Sequence, residues 1–385
     1  MTTMMRHRAT LAPTMTVTLT MVWAAGAWAQ AGPVPQLTGA PYVYTQWESF
    51  TTESTDGALI NDHIFFLEPD GDSLWIGTEN GLVLYHDGTW QSWTEADGLP
   101  WRVIMGIAKD HKTGDLWLAL FGEGIARFSG GRFEHFTQMN SGLLNDVSYG
   151  IDIQGDDVWI ASTAGISRYN QVTGEWAVFN EQHAPMEEVW TYNVSAAEDK
   201  VYFAVWGSGI LEWDVATETW KDYLDPDGEM EIDLYRDDGI IHVITTSASY
   251  VDGVLWASTY FGLSRYDGRN WRGYLDHDSG LPSTFINFAV GRSATSCYNA
   301  TDKGLAVLAD YGSDTWVTYQ RDDEDAATWT AHLMVGGDEV RAVPTSLDLP
   351  NHFVISVAFV GDDLWIGTGH GLARATGTGF YEGLR

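Results

Sequence analysis

The chain has 385 residues, 44% apolar and 13% aromatic, enough to bury the core of one large all-β domain or two smaller ones. A formal net charge of -33 repels phosphate backbones and anionic lipid, which argues against a nucleic-acid partner and leaves cations such as calcium as weak ligands. One cysteine, Cys297, excludes an intramolecular disulfide.

In chain order, the first 29 residues stand apart. Arg6 and Arg8 precede an apolar run through Leu19, Val22 and Trp23, and Ala27-Trp28-Ala29 has the small-x-small form of a cleavage site. The expectation is a secretory signal over 1–29 and a linker over 30–43, which places the product in the periplasm or outside the cell. A retained anchor is the lesser reading, because threonines and Pro13 interrupt the run. Cleavage removes Arg6 and Arg8 and no acid, moving the charge from -33 to -35. No later stretch is apolar for long enough to span a bilayer.

From residue 44 onward the chain repeats itself. LWIGTENGLVLYHDGTW, beginning at Leu74, returns as LWLALFGEGIARFSGGRF, VWIASTAGISRYNQVTGEW, VYFAVWGSGILEWDVATETW, LWASTYFGLSRYDGRNW, CYNATDKGLAVLADYGSDTW and LWIGTGHGLARATG. The second-position aromatic falls at Trp75, Trp117, Trp159, Tyr202, Trp256, Tyr298 and Trp365. Four of the six spacings are 42 or 43 residues, and the two longer ones hold insertions near 228–250 and 321–350. A period of about 40 to 45 residues with four short strands each fits a propeller blade. In the unit around Trp159 the strands are VSYGIDIQ, VWIAST, GISRYN and EWAVFN.

Each unit reads as one face packed on each neighbouring blade, which explains the unbroken apolar second strands. Leu74 and Ile76 are expected to face one neighbour and Trp75 and Gly77 the other. A small residue two places after the aromatic (Gly77, Ala119, Ala161, Ala204, Ser258, Ala300, Gly367) lets the next sheet come close. The last unit lacks a W-x-x-F/Y fourth strand, and Trp47-Glu48-Ser49-Phe50 supplies one. The fold expected over 44–385 is therefore all-β: a seven-bladed β-propeller with four-stranded antiparallel blades, closed by an N-terminal strand that completes the last blade.

These repeats resemble the two-component regulator propeller family, whose pattern is close to LWIGT-x-x-GL-x-RYD, an aromatic strand and DGLP. The resemblance runs from about Tyr44 to Thr376. It implies a sensor-type propeller of the periplasm, often tuned to carbohydrate, although the sandwich domain, membrane helix and kinase that accompany the repeats in that family are not found after them here.

Propeller ligands bind where the channel opens among the loops. Those loops nominate His63, Glu79, Trp101, Arg102, Phe121, Asp146, Trp190, Trp206, Tyr260, His352 and His370 as ligand-binding residues. Phe121, Trp206 and Tyr260 are read as replacing the threonine of Thr78 and Thr368, where packing does not demand an aromatic. Rings beside polar groups suit a small glycan or a peptide, with plugging of the channel mouth as the competing reading. Asn61, Asn145 and Asn351, each fourteen residues before its aromatic, read as turn caps.

No H-E-x-x-H, G-x-S-x-G, phosphate loop or dinucleotide fingerprint is present, so no catalytic or metal-binding residue is nominated. No cofactor is expected beyond weak Ca²⁺; Asp225-Pro226-Asp227-Gly228-Glu229 reads as a turn, not a calcium loop. Cys297 reads as a buried structural thiol. Asn193-Val194-Ser195 and Asn299-Ala300-Thr301 match glycosylation sequons but fall in strands. The acidic 322–325 stretch opens the longer insertion, read as a solvated loop, an extra hairpin or a cover near the mouth. The expectation is a monomeric, exported binding or interaction module whose partner is a glycan, a peptide or another exported protein. A lyase or hydrolase working at the channel mouth and a cell-surface scaffold remain as alternatives.

Overall fold

The computed structural model describes residues 43–44, 46–197, 199–226, 237–321, 328–347, 349 and 351–376, all within one compact unit. The expected leader over 1–29 and nearly all of the linker lie outside the described residues.

Seven antiparallel sheets follow one another. Blade 1 comprises Ile64–Asp70, Ser73–Thr78, Gly81–His86 and Thr89–Trp93. Blades 2 to 5 repeat the plan with inner strands Ile104–Lys109, Ser148–Gln154, Thr191–Ala196 and Thr245–Val251. Blade 6 begins at Ile286–Ser293 and blade 7 at Val354–Val360. Each inner strand packs against the inner strands of both neighbouring blades, and blade 7 meets blade 1, so the ring is closed. The fourth strand of blade 7 is Trp47–Phe50, with Trp47 opposite Ala375 and Phe50 opposite Leu372. Joining the two ends of the propeller in one sheet removes the open edges that an unclosed array would expose.

The seams account for the repeat. Leu74 and Ile76 pack with Ala358 and Trp365 of blade 7, while Trp75 packs with Ile104 and Ile107 of blade 2. Trp117, Trp159, Trp256 and Trp365 are at most 1% exposed, Trp75 is 7% exposed, and of the seven second-position aromatics only Tyr298 is half-buried. A side chain of that size contributes roughly 1.5–3 kcal/mol on burial. The small residue that follows lets the neighbouring inner strand approach: a Cβ on Gly77 would lie 2.9 Å from the Ile104 carbonyl oxygen, and one on Gly367 2.7 Å from Ile64 Cγ2. The glycine opening each third strand, such as Gly81 at φ +137°, is needed because a Cβ there would collide with the carbonyl of the outer strand.

Polar groups follow the repeat as well. Opposite the second-strand aromatic stand Arg127, Arg168, Arg265 and Arg374, each over its own tryptophan at 5.3–5.8 Å. Arg127, Arg168 and Arg374 also pair with Asp115, Asp157 and Asp363. Blade 4 reverses the polarity: Glu212 occupies the arginine position and Lys200 the aspartate position, 2.5 Å apart, and Tyr223 donates its hydroxyl to Glu212 at 2.6 Å. Keeping the pair while exchanging its charges shows that this position asks for neutralisation rather than for one residue type.

Two expectations change. Blade 6 has six strands, because Trp329–Val335 and Asp338–Pro344 add a hairpin to its outer edge. Of the readings given for the 321–350 insertion, the described part is the extra hairpin, neither a loop nor a cover of the mouth. It shares a core with the chain's N-terminal approach: Tyr319 accepts from the Tyr44 N–H at 2.7 Å, and Ser346 from the Trp47 N–H at 3.2 Å. The insertion near 228–250 ends before residue 245, where the inner strand of blade 5 begins; residues 227–236 and the acidic 322–327 lie outside the described residues. Among the described residues no helix is long and apolar enough to cross a membrane. Cys297 is fully buried in the position of Leu74, and burial pushes its thiol well above the usual range. Asn193 and Asn299 are 8% and 0% exposed within strands, as their sequence positions implied.

Candidate functional site

Every inner strand carries an irregularity at the same place, and that of blade 6 has a second between Gly291 and Ser293. The pairing with the second strand skips a residue between Ile64 and Phe66, Ile104 and Gly106, Ser148 and Gly150, Thr191 and Asn193, Thr245 and Ser247, Ile286 and Phe288, and Val354 and Ser356. A bulge of this kind re-aims the extra side chain. Here the extra residues are Phe65, Met105, Tyr149, Tyr192, Thr246, Asn287 and Ile355, and all seven line a single cavity of about 490 Å³ at the loop end of the channel.

Two further tiers stand above them. Immediately before each inner strand come His63, Trp190, Phe285 and Phe353, with Val103, Val147 and Ile244 in the other blades. Immediately after each second strand come Glu79, Phe121, Thr163, Trp206, Tyr260, Asp302 and Gly369, and the backbone N–H of the first six donates to the carbonyl just before the inner strand, as from Trp206 to Trp190 at 2.8 Å. The register corrects one expectation: the threonine position is held by Leu120, Val205 and Thr259, and Phe121, Trp206 and Tyr260 sit one place later, equivalent to Glu79. The threonine itself is structural, donating to the carbonyl of the turn glycine, as Thr78 does to Gly81 and Thr368 to Gly371.

The rings form a continuous arc over blades 2 to 6. Phe121 meets Tyr149 edge-on at 5.5 Å, Tyr149 stacks on Tyr192 at 5.0 Å, and Tyr192 stacks on Trp190 at 5.2 Å and Trp206 at 5.5 Å. Trp206 meets Tyr260 edge-on at 5.0 Å, and Tyr260 stacks on Phe285 at 3.8 Å. Burial raises the hydroxyl pKa of Tyr149, Tyr192 and Tyr260, and the proximity of the last raises that of Tyr192 further, so all three are neutral donors at ordinary pH. Across the mouth, His63 lies 3.6 Å from Glu79 and 4.3 Å from the Phe65 ring. Burial lowers its pKa, a nearby His370 lowers it further, and Glu79 opposes both.

Of the nominated residues, His63, Phe121, Trp190 and Tyr260 line the cavity, and Trp206 completes the arc behind them. Glu79 and His370 stand beside His63 at the rim. Trp101, Arg102, Asp146 and His352 do not line it. Trp101 packs into the seam of blades 1 and 2, Arg102 is exposed, and the Asp146 carbonyl accepts from Gly122 and Gly124, tying blade 3 to blade 2. Asn61, Asn145 and Asn351 each accept the N–H two residues on at 2.7 Å, as caps do. His242 caps in the same way, its Nδ1 accepting from the Ile244 N–H at 2.9 Å while burial keeps the ring neutral.

Below the bulge tier two carboxylates project from inner strands. Glu68 accepts from the Lys109 N–H of the next blade at 3.2 Å and Asp152 from the Ala196 N–H at 2.7 Å; Ser249 does the same for Gly291 at 3.0 Å. Both carboxylates are half-buried, and desolvation, with the charge of Asp152, pushes Glu68 up to about 8, while Asp152 rises to about 6. Neither these nor the bulge tier was nominated from sequence. The signal that finds the tier is distance: Phe65, Tyr149, Tyr192, Thr246 and Ile355 each stand ten residues before the second-strand aromatic, with one or two more where the hairpin is longer.

The sequence matches no family model and no curated protein. Solved structures share its fold. The extracellular domain of the hybrid two-component system BT3049 from B. thetaiotaomicron aligns with 82% of this chain at TM-score 0.61 and 15% identity. PorZ, a bacterial surface component of the type-IX secretion system of Porphyromonas gingivalis, aligns with 83% at TM-score 0.59 and 14% identity. YCF48, solved bound to a D1 peptide, aligns with 90% of this chain and 100% of its own length at TM-score 0.56 and 15% identity. This chain spans 40% of the first structure and 47% of the second. Sensor ectodomains are therefore among its structural neighbours, as the repeat pattern implied, and at these identities the shared property is the seven-bladed architecture.

Proposed function

We propose that the chain is an exported ligand-binding propeller of the sensor type and that its site is the aromatic mouth of the channel. The supporting observation is that the bulged residue of all seven blades opens into one cavity, where no shared residue type is retained. Seam positions repeat because packing repeats, and a position released from packing is available for a ligand. The lining combines stacked rings with the amides of Asn193 and Asn287, a set suited to a glycan or a peptide. The extracellular neighbours support export and binding, and YCF48 shows that the architecture can hold a peptide.

The test is a thermal-shift screen of oligosaccharides, peptides and divalent cations on the wild type, Trp206→Ala and Tyr260→Ala. A ligand of the native state raises the melting temperature by mass action. The proposal expects a shift with a glycan or peptide that both variants abolish. A shift that survives in both places the site elsewhere and refutes it.

A further inference from the structure

Resting on that reading of the mouth, we infer that the occupant is an aromatic side chain of a protein or peptide segment flanked by Lys or Arg.

The cavity itself selects an uncharged group. Its lining includes no Asp, Glu, Lys or Arg, and its histidine is His63. Burying a charge there unpaired is costly, whereas an indole, phenol or phenyl ring fits among the rings already present.

The surroundings select a macromolecule. Phe121, Met139, Leu224 and Phe353 are four of the five exposed large apolar side chains among the described residues, and all four belong to the loops of this face. Phe121 and Phe353 line the cavity, whereas Met139 and Leu224 follow the outer strands Arg132–Phe136 and Thr219–Tyr223, so exposed apolar side chains run from the mouth toward the periphery of this face, a spread that matches a protein contact better than the compact footprint of a small sugar.

Charge then selects the flanks. Glu79, Glu123, Asp146, Glu187, Glu188 and Asp302 lie in these loops, where Arg102 and Lys303 are the only Lys or Arg among the described residues. Among the described residues several other cations are paired away from these loops, as Lys109 is with Asp70, Lys112 with Asp156 and Arg374 with Asp363. An acidic rim around a neutral, aromatic hollow attracts a basic segment, orients it and admits its ring.

A phage-displayed library of random heptapeptides, panned on the full chain, tests this. The expected selection is enriched in Trp, Tyr or Phe within two residues of Lys or Arg. A synthetic peptide of that consensus should lose at least about tenfold in affinity when its ring becomes Ala, when its cations become Glu, or when the protein carries Phe121→Ala or Tyr260→Ala. Raising salt from about 0.05 to about 0.5 M, or introducing Glu123→Gln with Glu188→Gln, should weaken it several-fold. Phe121 is 41% exposed, so its truncation should leave the melting temperature nearly unchanged and report on binding alone.

No enrichment, or a consensus indifferent to charge or acidic, overturns the inference. A neutral-oligosaccharide array run in parallel separates it from the broader reading: glycan binding lost in Tyr260→Ala without peptide enrichment keeps the mouth and removes the basic segment. Ligands of either kind that ignore both mouth variants remove both.

Discussion

Replacing Glu68 by Gln should stabilise the protein at neutral pH and leave it unchanged in mild acid. Folding raises the Glu68 carboxyl from 4.5 to about 8, chiefly by desolvation and then by the Asp152 charge. A group bound more tightly to its proton in the folded state contributes stability that is complete below the unfolded value, declines as pH rises and is gone above the folded value. Between pH 5 and 7 the slope is up to about 1.4 kcal/mol per pH unit. The side chain keeps partial contact with water, so about 2 kcal/mol over that interval is the expected loss in the wild type. Gln keeps an oxygen for the Lys109 N–H but cannot ionise, which leaves the seam hydrogen bond in place. Urea midpoints measured for both proteins from pH 4 to 8.5 would show the curves meeting near pH 5 and separating by about 2 kcal/mol at pH 7. Parallel curves would refute the reasoning, because they would mean that Glu68 ionises in the folded protein as readily as in the unfolded one.

Two further outcomes follow from the seams and the blade pairs. Gly367→Ala should cost about 1–3 kcal/mol although four blades carry alanine at this position, because the new methyl meets the Ile64 side chain and Ser356; urea denaturation should show the loss, and Ile64→Ser, the residue type of blade 3, which lacks the Cγ2 methyl, should relieve part of that clash. In blade 4, Lys200→Asp should cost about 3–5 kcal/mol by leaving the 8%-exposed Glu212 opposite a new carboxylate. Adding Glu212→Arg restores the polarity of the other blades and should return most of that stability in a double-mutant cycle, whereas simple additivity would contradict the pairing.

The blade count was legible because seam packing is the same problem solved seven times. Trp117 and Trp365 are separated by most of the chain, yet each fills the same wedge between sheets, so identity and spacing survive together. Closure was legible for a related reason: Trp47 and Phe50 supply the aromatic outer strand that the last repeat lacks. The cavity was only partly legible. Trp190, Tyr260 and Phe121 showed themselves as aromatics outside the repeat pattern, but Trp101 did so equally and packs into a seam. The bulge tier was hidden, since a bulge is a feature of backbone pairing and Phe65, Asn287 and Thr246 have no chemistry in common. Glu68 and Asp152 were hidden too, because two carboxylates 84 residues apart in sequence become neighbours only when the ring closes.

This difference in legibility has a physical origin. A second-strand tryptophan touches two sheets, and its loss opens a void that no neighbour can fill, so every blade retains a large ring there. The bulged residue touches the channel, where a change of size alters the volume of the lumen before it strains a sheet. Stability therefore constrains the seams and largely releases the channel, which lets one backbone present Phe, Met, Tyr, Thr, Asn and Ile at equivalent positions around a single hollow. The asymmetry that results, rings over blades 2 to 6 and His63 with Glu79 opposite, gives the mouth a direction that a seven-fold ring lacks. An occupant of the kind proposed would meet stacked rings on one side and a histidine–carboxylate pair on the other, an asymmetry that favours one orientation over the rest.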